Sequence, residues 1–262
     1  MKTVLLTITA SLAILPASAA MSEIRLQPHR AVYELSMAVD STSTGVSATT
    51  GAIFYEFTES CDGWTTNNRT ILRTSYDEGP ERTSDWTYSG WESHDGKDYR
   101  FNVHSSTNGQ KGPDIRGAAE LNDGGGSVDY RQPVTRTLSL AQGTIFPARH
   151  IERLIAAAQS GENFLLADVF DGFSVDTPYY SINAFIGPLS APAADAKPGL
   201  KTDSWKMRLA FFDKTTRSEQ PSYELGVRYF ANGIATEVVQ DFGDLKIDGK
   251  LREIELLPHP KC

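Results

Sequence analysis

Trp205-Lys206-Met207-Arg208-Leu209-Ala210-Phe211 and, further on, Tyr223-Glu224-Leu225-Gly226-Val227-Arg228-Tyr229 carry a large apolar or aromatic side chain at every odd position and a charged or small residue at every even one. Successive side chains of a β-strand point to opposite faces, so this alternation describes a strand with one buried and one wet face. An amphipathic helix would bring its apolar residues round every three to four positions instead. Phe212 follows Phe211 directly, which puts aromatic surface on both faces at that end of the strand. Outward from there the same period recurs. Tyr33, Leu35, Met37 and Val39 share one parity, as do Ile53, Tyr55 and Phe57, and then Tyr99, Phe101 and Val103. Trp64, Trp86, Trp91 and Trp205 also fall on expected strands, where a Trp packs in the core or lines an apolar concavity.

Between these runs stand Asp62-Gly63, Asp95-Gly96, Asn108-Gly109, Asn232-Gly233 and Asp248-Gly249, dipeptides that tolerate the positive φ of tight hairpin turns. Their density predicts an antiparallel meander of about fourteen strands. Two stretches break the rhythm. Pro147 to Ala158, with Pro in a first-turn position, a run of alanines and Gly161 as a stop, predicts one short helix over about 147–160. Gly187 to Gly199, with three prolines among alanines, predicts an exposed loop. No fixed-period repeat or low-complexity linker divides the chain. The fold class is therefore mainly β: an antiparallel many-stranded β-spiral or open barrel with one short helix, forming a single domain over residues 21–262.

Residues 1–20 read as a secretory signal peptide. Lys2 is the basic start, Val4 to Leu15 is an apolar run, and Pro16-Ala17-Ser18-Ala19-Ala20 ends in small residues, with cleavage after Ala19 or Ala20. The apolar run is too short for a bilayer-spanning helix, and no second one follows, so no integral membrane segment is expected. No Cys stands at the cleavage site to take a lipid. Export places the mature chain in an oxidising compartment, where its two cysteines, Cys61 and Cys262, are expected to pair. Two free thiols or an intermolecular bond are the alternatives. The chain carries 25 basic and 33 acidic residues, a net charge of −8 that becomes −9 once Lys2 is cleaved away. Without a basic block, that balance argues against nucleic acid as a partner and against tight binding to anionic lipid headgroups.

Motifs with chemistry are scarce. The histidines, at 29, 94, 104, 150 and 259, show no metal-ligand spacing, and no cysteine cluster joins them. His150, at the start of the expected helix, is a candidate general base, weighed against a plain helix-start residue bonded to a loop. Gly172-Phe173-Ser174-Val175-Asp176 lacks the second Gly and the helix of a nucleophile elbow. Gly124-Gly125-Gly126 does not open a helix and is a turn, not a phosphate cradle. Asp95-Gly96-Lys97-Asp98 lacks the spaced acidic ligands of a calcium loop. No catalytic residue, cofactor or metal ligand is assigned.

Read together, several segments resemble the EipB family of alphaproteobacterial cell-envelope integrity proteins. They are His29-Arg30-Ala31-Val32-Tyr33-Glu34-Leu35, Cys61-Asp62-Gly63-Trp64, Trp91-Glu92-Ser93 with Asp95-Gly96 and Tyr99-Arg100-Phe101, and Gly143-Thr144-Ile145-Phe146-Pro147 with His150. Further on come Asp168-Val169-Phe170-Asp171-Gly172, Pro221-Ser222-Tyr223-Glu224-Leu225, Asn232-Gly233-Ile234, and Leu257-Pro258 leading to Cys262. The resemblance implies a periplasmic β-spiral similar to the open barrels of the lipoprotein carriers LolA and LolB, with a disulfide between Cys61 and Cys262. Since fold does not imply function, lipid transport is analogy only. The expectation is a non-enzymatic periplasmic protein that supports envelope integrity by binding a partner protein or an acyl or lipid ligand on a curved β surface. The alternative is an envelope glycan or peptidoglycan hydrolase, which needs two carboxylates across a cleft, with Glu92 and Asp95 as candidates.

Overall fold

The computed structural model describes residues 24–42, 45–216 and 218–262, so the expected signal peptide lies outside the described residues. The chain begins with β1 (His29–Met37), β2 (Val46–Glu59), β3 (Gly63–Tyr76), β4 (Arg82–Ser93) and β5 (Asp98–Thr107). It continues through β6 (Gln110–Lys111), β7 (Ile115–Asn122), β8 (Gly125–Gln132), β9 (Arg136–Leu140) and the helix α1 (Pro147–Gln159). The rest is β10 (Phe164–Val169), β11 (Tyr180–Ser190), β12 (Ser204–Asp213), β13 (Tyr223–Phe230), β14 (Ala235–Asp241) and β15 (Lys246–Leu256). All fifteen strands form one sheet, in the order β10-β11-β12-β13-β14-β15-β1-β2-β3-β4-β5-β7-β8-β9, with β6 attached to β5. Every named pairing is antiparallel.

Two meanders are thus joined by the pairing of the first strand with the last. The sheet does not close. Its edges, β9 and β10, are consecutive in the chain, and α1 lies between them. The alternation that opens the sequence holds: Trp205, Met207, Leu209 and Phe211 are buried, while Lys206 and Arg208 are exposed. The inward face of the sheet packs on α1 from three sides. Leu154, Ala157 and Ala158 meet the β10–β13 side, Ala148 and Ile155 meet Leu26, Phe57 and Trp64, and Phe146 at the helix start joins Tyr99, Phe101 and Phe170. The helix is the shared core element that lets a curved sheet bury its inner face without closing.

Cys61, in the turn between β2 and β3, is bonded to Cys262, with Cα atoms 5.7 Å apart. The tail after β15 is held on the same end of the sheet by Leu257 N–H donating to Pro28 O at 2.8 Å and by His259 Nδ1 with Glu59 Oε2 at 2.6 Å.

Four local expectations are corrected. Val39 does not extend the buried face of β1, because the strand ends at Met37 and the side chain is fully exposed. The hairpin before β15 turns at Gly243, with φ 95°, whereas Asp248-Gly249 lies inside β15 opposite Ser36 and Leu35. Gly63 opens β3 without a positive φ. It is required by close approach, since a Cβ there would sit 2.1 Å from Glu92 O. The loop expected from Gly187 begins later, after Ser190. Gly187-Pro188 forms an irregularity in β11 beyond the last residue pairing with β10, where a missing N–H costs no ladder bond on that side. The fifteenth strand, above the expected number, is the two-residue β6.

Candidate functional site

The carboxylates offered by the sequence are not brought together across a cleft. Glu92, near the end of β4, points inward to the start of α1, where Phe146 supplies no side-chain cap. Its Oε2 accepts the Ala148 N–H at 2.7 Å and its Oε1 the Arg149 N–H at 2.9 Å. A helix start leaves its first N–H groups unsatisfied and carries partial positive charge, so a carboxylate from a distant strand does the work of a cap. Burial pushes the Glu92 carboxyl up to about 7, against the opposing pull of the two N–H donors. Asp95 sits in the exposed turn after β4, bonded to Ser93 Oγ at 2.6 Å and to the Lys97 N–H at 3.1 Å. His150 is buried, and its Nε2 has no hydrogen-bond partner; burial, with Arg153 adding to it, pushes its pKa down to about 4. A second buried polar group, the Tyr88 and Tyr99 hydroxyls bonded to each other with Tyr99 Oη donating to Asp171 O at 3.3 Å, also belongs to the interior. Among the described residues no three His, Cys, Asp or Glu side chains are placed to hold a metal ion.

A groove opens on the other face of the sheet. Two neighbouring cross-strand rows run over β1 to β5. One is Val32, Phe54, Arg69, Thr87, His104, and the other is Arg30, Glu56, Asn67, Ser89, Asn102. These residues line a groove of about 500 Å³, within the size range of small-molecule sites. Phe54 is 48% exposed in it, and Val32 lies directly opposite on the next strand. The polar groups are turned to one another. Arg30 Nε donates to Glu56 Oε2 at 2.5 Å, Asn67 Nδ2 to Glu56 Oε1 at 3.3 Å, and Ser89 Oγ to Asn67 Oδ1 at 2.8 Å. Asn102 Nδ2 meets His104 Nε2, and His104 Nδ1 meets Asp114, both at 2.8 Å. Arg69 pairs with Asp85 at 2.8 Å. Side chains paired sideways, with Asn102 Oδ1 the exception, leave carbon facing into the groove, a lining suited to an apolar ligand.

Sequence reasoning missed this face, although a signal was present. Val32 between Ala31 and Tyr33, and Phe54 between Ile53 and Tyr55, are apolar residues at positions whose parity belongs to solvent. Two such residues that pair across strands mark an apolar outer surface. Of the tryptophans, Trp64 and Trp205 are core residues, while Trp91 lies on the outer face under Arg100, whose guanidinium carbon is 5.0 Å from the ring centroid.

Among the described residues, an open, many-stranded antiparallel sheet wrapped on one helix, with a disulfide tying the β2–β3 turn to the C-terminal tail, is a β-barrel-like architecture. The chain belongs to the EipB-like family, whose model matches residues 20–258. It is similar to the cell envelope integrity protein EipB of Brucella abortus (strain 2308), at 34% identity over 246 residues, covering 92% of this chain and 88% of that protein. Its fold matches the crystal structure of a β-barrel-like protein of a domain of unknown function from Brucella abortus, with a TM-score of 0.84 and 33% identity, over 90% of this chain and all of that one. Among the described residues no helix is long and apolar enough to cross a membrane.

Proposed function

We propose that this chain is an exported, non-enzymatic periplasmic protein, a single domain after loss of its signal peptide, that supports cell-envelope integrity by holding an acyl chain in the outer-face groove over β1–β5. The family membership supports the envelope role, and the observation that carries the ligand is the groove itself. It presents Phe54 and Val32 to solvent while its charged neighbours are occupied with each other. A ligand that takes about 200 Å² of apolar surface out of water gains on the order of 5 kcal/mol, before the cost of immobilising it. The test is native mass spectrometry of protein isolated from its own periplasm, comparing wild type with Phe54→Asp. A lipid-sized mass on the wild type that is lost from the variant supports the reading. A wild type that carries no lipid and takes none from vesicles of the cell's own envelope lipids overturns it.

A partner protein is the second reading, favoured by a separate surface. Phe164, Leu166, Phe185 and Leu189 are each more than half exposed on the outer side of β10 and β11, and β10 is a sheet edge. Asp168 O accepts from Ile145 N at 2.9 Å on the side away from β11, so Phe164 and Leu166, of the same parity, direct their backbone groups outward as well. Such an edge can receive an added strand. Cross-linking in the periplasm that captures a protein through this edge, and is abolished by Phe185→Lys, supports this reading; capture unaffected by that change overturns it.

A further inference from the structure

Eight arginines of this acidic chain sit beside a carboxylate: Arg30, Arg69, Arg73, Arg136, Arg149, Arg208, Arg228 and Arg252 all form ion pairs. Arg100, Arg116 and Arg131 do not, having no acidic partner among the described residues. They line one depression of about 480 Å³ on the outer face, across β4, β5, β7 and β8. Arg100 lies over Trp91. Arg131 is placed by an irregularity in the β7–β8 ladder, where Arg116 pairs with Gln132 and Gly117 with Tyr130, leaving Arg131 unopposed. A bulge of this kind re-aims a side chain, and here it puts a second guanidinium beside Arg116. Asp98, Glu120 and Asp129 share this face on the same strands, yet none forms an ion pair with the three guanidinium groups, whose mutual repulsion an anion between them would relieve.

The depression is continuous with the acyl groove, since Ser89 and Asn102 line both. At that junction Asn102 Oδ1 is buried without a hydrogen-bond partner. The sequence offers no basic block, and its net charge argues against anionic headgroups. The register of β5, β7 and β8 nevertheless assembles a basic site from residues 100, 116 and 131.

We infer that the ligand of the outer face is an anionic amphiphile, its acyl chain along Phe54 and Val32 and its phosphate or carboxylate head held by Arg100, Arg116 and Arg131. Guanidinium groups bind such oxygens through paired N–H donors. This rests on the acyl-groove reading and adds the chemistry of the head.

The test measures calorimetric binding of decyl phosphate, decanoate, decyl glucoside and inorganic phosphate, each below its micelle concentration. Wild type is compared with an Arg116→Gln/Arg131→Gln double variant. Both positions are exposed, and an unchanged melting curve verifies the fold. The charged decyl probes should bind about 10-fold or more tighter than decyl glucoside to the wild type. The double variant should lose that preference while its affinity for decyl glucoside stays the same, and added salt should weaken only the charged probes. The two charged probes separate a phosphate head from a carboxylate one. Equal binding of charged and neutral decyl probes by the wild type overturns the inference and leaves the acyl groove standing. Binding of inorganic phosphate alone, lost in the double variant, refutes the amphiphile and the acyl groove while keeping an anion site. No binding of any probe refutes both.

Discussion

Removing the Glu92 carboxylate should cost stability, because it is the acceptor for the first N–H groups of the only helix in the described residues. In Glu92→Ala the Ala148 and Arg149 N–H groups lose acceptors at 2.7 and 2.9 Å. A buried donor left unpaired costs about 1–3 kcal/mol, and loss of an N-cap costs about 0.5–2 kcal/mol. Ala148 is buried and Arg149 half-buried, so water can reach only one of them well. The expected loss is about 3 kcal/mol for Glu92→Ala and less for Glu92→Gln, which keeps one acceptor oxygen but sets an amide NH2 against an N–H. Because α1 joins three parts of the core, the loss should appear as a lower urea midpoint for the whole sheet, not as local fraying. Urea unfolding followed by Trp fluorescence, with Phe54-groove ligand binding measured on the folded protein, provides the readout. Wild-type midpoints in both variants would refute the capping argument. Intact stability joined to a lost cell-wall cleavage activity would instead restore the hydrolase reading.

Further expectations follow from the same contacts. Cys61→Ser and Cys262→Ser should each destabilise the chain by up to about 5 kcal/mol, the loop-closure value for so long a loop, and the double variant should match either single one in urea midpoint. Non-reducing peptide mapping that finds both thiols free refutes the tie. The pH dependence of stability should be nearly flat between about pH 4 and 7, because opposing groups titrate there. Glu92, raised to about 7, and Asp171, raised to about 6, favour the folded state at low pH and lose that contribution as pH rises through those values. His150, lowered to about 4, and His29, also lowered by burial, favour it above the ordinary histidine value of 6.5 and lose that contribution as pH falls toward the folded values. Glu92→Gln should therefore show stability rising with pH across this interval, and His150→Asn stability falling with it. Parallel slopes in the two variants contradict these assignments.

The strands were legible in the chain because their signal is local. The alternation at 205–211 survives as a buried row, and the helix expected at 147–160 spans Pro147–Gln159, since Pro and a following Gly at φ 81° punctuate it directly. The cysteine pairing, seen between Cys61 and Cys262, was expected from their number and from the export reading of the N-terminus. What depends on register was not legible. Asp248-Gly249 looks like a turn locally, yet β15 runs through it because β1 and β14 pair on either side. The capping role of Glu92, in the sequence no more than a candidate for the alternative hydrolase, was hidden because its partners, Ala148 and Arg149, are more than fifty positions away in the chain. The outer-face arginines Arg100, Arg116 and Arg131 are spread over three strands, β5, β7 and β8, so only the ladder makes them neighbours. The fully exposed Val39 shows the limit of alternation itself, which does not say where a strand stops.

The central claim, that the outer face over β1–β5 holds an acyl chain, is tested most directly by a photoreactive phenylalanine analogue at position 54, activated in living cells, with the same analogue at Phe185 as a control. Mass analysis of the purified protein should show a lipid-sized increment at position 54 and none at position 185. A protein-sized adduct at position 54, or no adduct there while position 185 captures one, would contradict the account.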